Sequence, residues 1–101
     1  MTDNLLELKI EDLLLDYPEV TQKKVRKYMV RYHQGEEVDP VSVSYCVHTG
    51  KYYLNDGTHR TVAKHLLGKS SILAKIEPCY PHCIGFEPKW TPYHIRHIIL
   101  Q

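Results

Sequence analysis

The sequence has no long apolar stretch, because its apolar runs stop at three residues, as in Leu13-Leu14-Leu15. A helix needs about 20 consecutive apolar residues to cross a bilayer, so no membrane-spanning segment is expected. The first residues include the acidic side chains Asp3, Glu7 and Glu11 and lack the basic-then-apolar order of a signal peptide. We therefore expect a soluble, cytoplasmic protein with no membrane partner.

Cysteine is also scarce, with three residues in the chain, Cys46, Cys79 and Cys83. An odd number of cysteines cannot pair completely, and small secreted domains usually carry a larger, even number. A disulfide framework is therefore not expected. Reduced thiols or a metal site fit the count better.

Neither sign of charge is in excess, since 13 Lys and Arg stand against 12 Asp and Glu, a net charge of +1. DNA binding would therefore need a local basic patch. One candidate patch is Lys23, Lys24, Arg26, Lys27 and Arg31. Basic helix faces are often only solvated, so DNA is a candidate partner and a solvated face is the alternative.

The length of 101 residues is enough for one hydrophobic core, so residues 1–101 are expected to form a single domain. The hydrophobic fraction of 43% and the charged fraction of 25% are those of an ordinary globular protein, so we expect the whole chain to fold.

An amphipathic helix is predicted over residues 21–34. Its apolar positions recur at helical spacing: Val25, Tyr28, Met29 and Tyr32. Thr21 can cap this helix by accepting a hydrogen bond from a free amide of the first turn, and Gly35 can end it. Before the helix, residues 5–10 alternate weakly and indicate a short edge strand, while residues 11–15 are typical of a single helical turn.

The pattern changes to period two after Pro40 and predicts a strand with one buried face. The side chains expected on that face are Val41, Val43, Tyr45 and Val47. Residues 51–55 predict the returning strand of a hairpin. A second helix begins at Thr58 and ends at a left-handed Gly68, and residues 72–76 predict another strand. Residues 77–101 form an irregular tail, in which Thr91-Pro92 is typical of the start of a final helix.

The segment 56–60, Asp56-Gly57-Thr58-His59-Arg60, is the strongest candidate for a binding site. A strand that passes directly into a helix at Thr58 leaves the first helical amides without internal partners, and the helix dipole favours an anion there. Gly57 lets the backbone approach a phosphate, Thr58 adds a hydroxyl and Arg60 adds a planar fork of donors. The alternative is a simple turn followed by exposed helix residues.

Two other side chains of this segment suggest chemistry. Asp56 would lie beside a polyanion, where a carboxylate makes sense as a magnesium ligand or as a base. His59 is a fourth polar group in the same turn. The segment therefore predicts a phosphate site that uses Mg²⁺.

The order of these features resembles the ParB/sulfiredoxin superfamily in its ParB-like N-terminal domain form. The match covers roughly residues 8–76, and its sharpest parts are the D-G-T-H-R box at 56–60 and the G-x4-P-V-x-V pattern that begins at Gly35. The resemblance implies an α+β (α/β) domain with a mixed sheet of about four strands and two to three flanking helices. It also implies that Gly57, Thr58, His59 and Arg60 bind the phosphates of a nucleotide, ATP or CTP.

Two departures narrow the choice within the superfamily. Sulfiredoxins attack a sulfinic acid with a cysteine in this box, where the present chain has Thr58. A hydroxyl cannot perform thiol chemistry, so sulfiredoxin activity is not expected. Chromosome-segregation ParB proteins continue into DNA-binding and dimerisation domains, for which 101 residues leave no length. Clamp-like spreading on DNA is therefore not expected.

The D-G-x-H-R box also resembles that of the free serine kinases, which move a phosphate from ADP or ATP to a small hydroxyl substrate. In that branch an acidic residue before the first long helix is the base, and Glu19 has this position. The catalytic candidates are therefore Glu19, Asp56 and His59, in a nucleotide hydrolase, a nuclease or a phosphotransferase. The alternative for Glu19 is a simple acidic helix start.

A third hypothesis is a zinc-stabilised interaction domain without catalysis. Cys79 and Cys83 are four positions apart, and His94 and His97 are three apart on one face of the expected last helix. Two cysteines and two histidines are an accepted zinc set. The alternative is packed thiols and surface histidines. The short chain also suggests assembly into a homo-oligomer.

Overall fold

The computed structural model describes residues 5–15, 19–46, 50–77 and 93–101. Over these ranges the chain forms β1 (Leu5–Lys9), β2 (Leu13–Leu14), β3 (Glu19–Val20), α1 (Gln22–His33), β4 (Val41–Cys46), β5 (Lys51–Asp56), α2 (Thr58–Leu66), β6 (Ser71–Glu77) and β7 (Ile99–Leu100). In the part of the chain that the structure describes, neither helix has the length and apolar character that a membrane span requires.

A mixed five-stranded sheet has the order β1-β6-β4-β5-β2. β4 and β5 form the predicted antiparallel hairpin, and β6 runs parallel to β4 on its other side. β1 is antiparallel to β6 and lies at one edge, as its weak alternation predicted. β2 lies at the opposite edge, parallel to β5. The predicted α+β class with a mixed sheet is confirmed, with five strands in place of about four.

α2 packs on the sheet against β4 and β6, and α1 packs against α2. Side chains of both helices belong to the same core as the strands. The apolar stripes of the helices and the alternating residues of the strands meet in one core, because burial of these side chains is the largest favourable term in folding. Its fully buried members include Val25, Val41, Val43, Val62 and Ala63. The packing places the start of α1 beside the turn that joins β5 to α2.

The helical turn predicted for residues 11–15 is wrong in its second half. A 3-10 turn covers Ile10–Asp12, and Leu13 and Leu14 then pair with Tyr52 and Tyr53 as strand β2. Three consecutive apolar residues show no period that distinguishes a helix from a strand. Pairing with the open edge of β5 stabilises the strand.

The helix predicted for the end of the chain is also wrong within residues 93–101. A 3-10 turn covers Ile95–His97, and β7 follows and pairs in parallel with β3. The amide of Gln101 donates to Val20 O at 2.9 Å, and the amide of Gln22 donates to Gln101 O at 2.9 Å. These long-range bonds favour an extended end. The predicted start at Thr91-Pro92 lies outside the described residues.

Two local details differ from the sequence interpretation. Thr21 has the N-cap position of α1, but its side chain makes no capping hydrogen bond. Tyr45 is 37% exposed, because β4 extends beyond the end of its pairing with β6 at Ser44.

The left-handed end of α2 at Gly68, with φ of 82°, is confirmed.

Candidate functional site

A cavity of about 360 Å³ lies between the start of α1 and the turn from β5 to α2. All five residues of the predicted segment 56–60 line it. Its other lining residues are Lys24, Lys27 and Tyr28 from α1 and Asn55 from the end of β5. The structure therefore brings the predicted segment together with a basic part of the first helix.

Gly57 allows the tight turn at the base of the cavity. Its φ of 107° is a left-handed value that residues with a side chain rarely adopt. A Cβ at this position would also lie 2.7 Å from the Cβ of Val41, closer than non-bonded carbons approach. The turn therefore sits directly on β4, and only glycine fits it without displacement.

The first amides of α2 have no partner within the helix. The first helical bond runs from the Thr61 amide to Gly57 O at 2.9 Å, and the Thr61 hydroxyl donates to the same oxygen at 2.9 Å. The N-cap position is Gly57, so no side chain at that position caps the helix. The amides of residues 58–60 therefore precede the hydrogen-bonded ladder, the arrangement that anions occupy at helix starts.

The guanidinium of Arg60 is held in place before any ligand binds. Its Nη1 donates to Asp39 O at 2.8 Å and to Pro40 O at 3.2 Å. Its Nη2 lies 3.2 Å from Asp56 Oδ2. The Arg60 side chain is 13% exposed, whereas Asp56 is 80% exposed. Arg60 is thus a fixed positive charge in the cavity wall, paired with a carboxylate that faces water.

His59 connects the starts of the two helices. The backbone amide of Thr21 donates to His59 Nε2 at 3.1 Å. Burial, and secondarily the nearby charge of Lys24, lower the pKa of His59 from its ordinary value of 6.5. Both facts favour the neutral imidazole with its proton on Nδ1, because an accepting Nε2 cannot carry one.

Four lining residues were not predicted at the phosphate site: Lys24 and Lys27 were predicted only as part of a basic patch, Tyr28 as an apolar helix position and Asn55 as the end of a strand. Lys24, Lys27 and Tyr28 are spaced i, i+3 and i+4, which places them on one side of α1. This spacing indicates that the three side chains share one face of α1. It does not show which part of the protein that face contacts. Tertiary packing of α1 against α2 supplies the missing information.

The described site candidates Glu19, His94 and His97 do not line this cavity. Glu19 is exposed on β3 and is not among the residues that line the cavity. Cys79 and Cys83 lie outside the described residues. The rings of His94 and His97 are 5.8 Å apart, and His97 Nδ1 accepts the His94 amide at 3.1 Å. Within the described ranges no group of three His, Cys, Asp or Glu side chains is arranged to hold a metal ion.

Comparisons with solved structures identify the fold. No protein-family model matches the sequence, and no curated protein matches it. Sulfiredoxin from Arabidopsis thaliana superposes with a TM-score of 0.65 and 28% identity, over 73% of this chain and 84% of that one. The fold is that of the ParB/sulfiredoxin superfamily.

Two larger proteins share the ParB/sulfiredoxin fold. Protein Atu1540 from Agrobacterium tumefaciens has a TM-score of 0.63 and 19% identity over 73% of this chain. SbnI with a C-terminal truncation, from Staphylococcus aureus, has a TM-score of 0.64 and 19% identity over the same share. The chain spans 38% of the first protein and 30% of the second.

Proposed function

We propose that the chain binds the phosphates of a nucleotide, ATP or CTP, in the cavity between α1 and the β5–α2 turn. One observation carries the proposal: residues 58–60, whose amides precede the helical hydrogen bonds, line one cavity together with Lys24 and Lys27. Amides at a helix start and nearby cations are the groups that bind phosphate in proteins.

The charge balance of the cavity supports an anionic ligand. Lys24, Lys27 and Arg60 are cations, His59 is neutral, and Asp56 is the one carboxylate among the described residues that line the cavity. A wall with excess positive charge and unpaired amides stabilises a polyphosphate more than a neutral ligand.

Asp56 fits a magnesium ion that is carried by the nucleotide. Mg²⁺ keeps several waters and uses one or two carboxylates together with substrate phosphates. Asp56 has one contact to Arg60 and is 80% exposed, so its carboxylate has room for a hydrated ion. In a bound state Mg²⁺ would neutralise phosphate charge, while the amides of α2 and Arg60 orient the phosphates.

His59 is better suited to binding than to proton abstraction in this arrangement. Its Nε2 is already an acceptor for the Thr21 amide, so the protonated Nδ1 is the nitrogen that can donate to a phosphate oxygen. Arg60 retains N–H donors beyond those used by Asp39, Pro40 and Asp56. Both side chains are therefore oriented in advance by the protein.

Phosphate transfer to a small hydroxyl substrate is the alternative function. This reaction requires a base. The candidate base, Glu19, lies on β3 and does not line the cavity. Binding without transfer is therefore the function that the geometry supports best. Consumption of ATP in the presence of free serine, lost in E19Q, would establish the transfer reaction instead.

A thermal-shift panel tests the proposed function. The protein is melted with ATP, CTP, ADP and GTP, each with and without Mg²⁺. A ligand that binds only the folded state raises its stability, so ATP or CTP should raise Tm by several degrees at millimolar concentration. No shift with any nucleotide contradicts the proposal. Melting that responds only to zinc chelation would favour the zinc-stabilised interaction domain.

A further inference from the structure

The exposed face of α1 carries a concentration of positive charge that the nucleotide cavity does not account for. The helix holds five of the chain's 13 Lys and Arg and none of its 12 Asp and Glu, so the remainder of the chain is net acidic. The five are Lys23, Lys24, Arg26, Lys27 and Arg31. Only Lys24 and Lys27 line the cavity.

These cations are largely unpaired. Arg31 Nε lies 3.4 Å from Glu36 Oε2. Among the other described basic residues, only Arg60 has a carboxylate partner. Lys23 and Lys24 also lie in the first turn of α1, where positive charge opposes the helix dipole. The helix therefore carries charge that reduces its own stability and that an external anion would offset.

The chemistry of the surface indicates the class of partner. Val30, 54% exposed, is the one large apolar side chain of α1 that faces solvent. Protein interfaces usually contain an apolar or aromatic centre, and membrane-surface helices insert apolar side chains, whereas the apolar stripe of α1 is packed in the core. A run of cations without apolar anchors matches a sugar-phosphate backbone.

We propose that the exposed face of α1 binds the phosphate backbone of nucleic acid without reading its sequence. Lys23 and Arg26 extend the positive surface of Lys24 and Lys27 away from the cavity, along the outer side of the helix. Attraction of this kind releases counterions from the nucleic acid and weakens steeply with salt.

The test is fluorescence anisotropy with a labelled DNA duplex of about 20 base pairs, titrated with the full chain at several salt concentrations. Contact with about four phosphates predicts a slope of log K against log salt near −4. K23Q/R26Q should reduce this slope by about 2. K51Q/K75Q removes two exposed lysines of β5 and β6 and should leave the slope unchanged.

Each outcome decides the proposal. Failure of the duplex to bind at low salt, or an equal loss in both double variants, overturns it, as does binding of phosphatidylserine vesicles in place of DNA. If K23Q/R26Q loses its melting transition, R26Q alone should still reduce the slope by about 1. Nucleotide-induced stabilisation should persist in K23Q/R26Q, so failure of this proposal is distinct from failure of the nucleotide site.

Discussion

The imidazole Nε2 of His59 accepts a hydrogen bond of 3.1 Å from the backbone amide of Thr21, across 38 positions of the sequence. The bond joins the residue before α1 to the first turn of α2. It fixes the two helix starts that border the cavity, and it requires an unprotonated Nε2. The geometry of the site therefore depends on the protonation state of one side chain.

The pKa of His59 should lie below 6.5 and should rise in K24Q. Burial is the main cause of the lowered pKa and the charge of Lys24 is the second, so removal of that charge restores part of the shift. Histidine ring resonances followed by NMR across pH 4.5–8 measure this directly, with K51Q as a control that should not change. A pKa at or above 6.5 in the wild type would contradict the arrangement.

Stability should decrease with acidification more steeply in the wild type than in H59Q. Because the pKa is lower in the folded protein, the unfolded chain takes up the proton first as the pH falls. The contribution of His59 is thus fully present above pH 6.5 and is lost as the pH falls below that value. Glutamine can still accept the Thr21 amide but does not titrate. Equal pH profiles in urea unfolding would contradict the expectation.

Substitution of Gly57 should cost more than substitution of another left-handed glycine. Gly68 has φ of 82° and open space where a Cβ would lie, so G68A should lose only the backbone term of about 1–2 kcal/mol. G57A adds the overlap with Val41, about 1–3 kcal/mol more. Urea unfolding of both variants measures the difference. Equal losses of stability in G57A and G68A would mean that a Cβ at position 57 does not overlap Val41 of β4.

Arg60 and Asp56 should differ in their contributions to stability. R60Q removes the donor from the carbonyls of Asp39 and Pro40 and should reduce the free energy of unfolding by about 1–3 kcal/mol. D56N removes an exposed partner and should cost about 0–1 kcal/mol. D56N should instead weaken the Mg²⁺-dependent part of nucleotide binding. A D56N variant as unstable as R60Q would contradict this division of roles.

Lys24 and Lys27 of α1 should contribute directly to nucleotide affinity. K24Q/K27Q removes two charges from the cavity lining and should raise the Kd for ATP or CTP on the order of 10-fold or more. K51Q/K75Q makes the same change in net charge elsewhere and serves as the matched control in calorimetric titrations. Equal weakening in both variants would indicate only a long-range effect of net charge.

Local sequence patterns predicted the parts of the fold that depend on residues close together in the sequence. The alternation of Val41 and Val43, the stripe of Val25, Tyr28, Met29 and Tyr32, and the stop at Gly68 each express a period or a backbone preference that the sequence shows directly. The 56–60 segment was identified for the same reason, since a strand, a glycine and a helix start are contiguous.

The features that were missed depend on distant partners. Leu13-Leu14 becomes a strand because β5 has an open edge, and Ile99-Leu100 because β3 pairs with it. Lys24 and Lys27 join the cavity because α1 packs against α2. The Arg60 guanidinium is held by the carbonyls of Asp39 and Pro40, whose positions no local pattern gives.

An amide NMR titration with ATP or CTP and Mg²⁺ tests the proposed nucleotide site most directly. In the proposed complex, phosphate oxygens bind the amides at the start of α2. Saturable shifts are therefore predicted to be largest for the amides of Thr58, His59 and Arg60, and absent at the exposed Lys51 and Lys75. No shift at those three amides with nucleotide in excess, or shifts concentrated elsewhere, would contradict the claim.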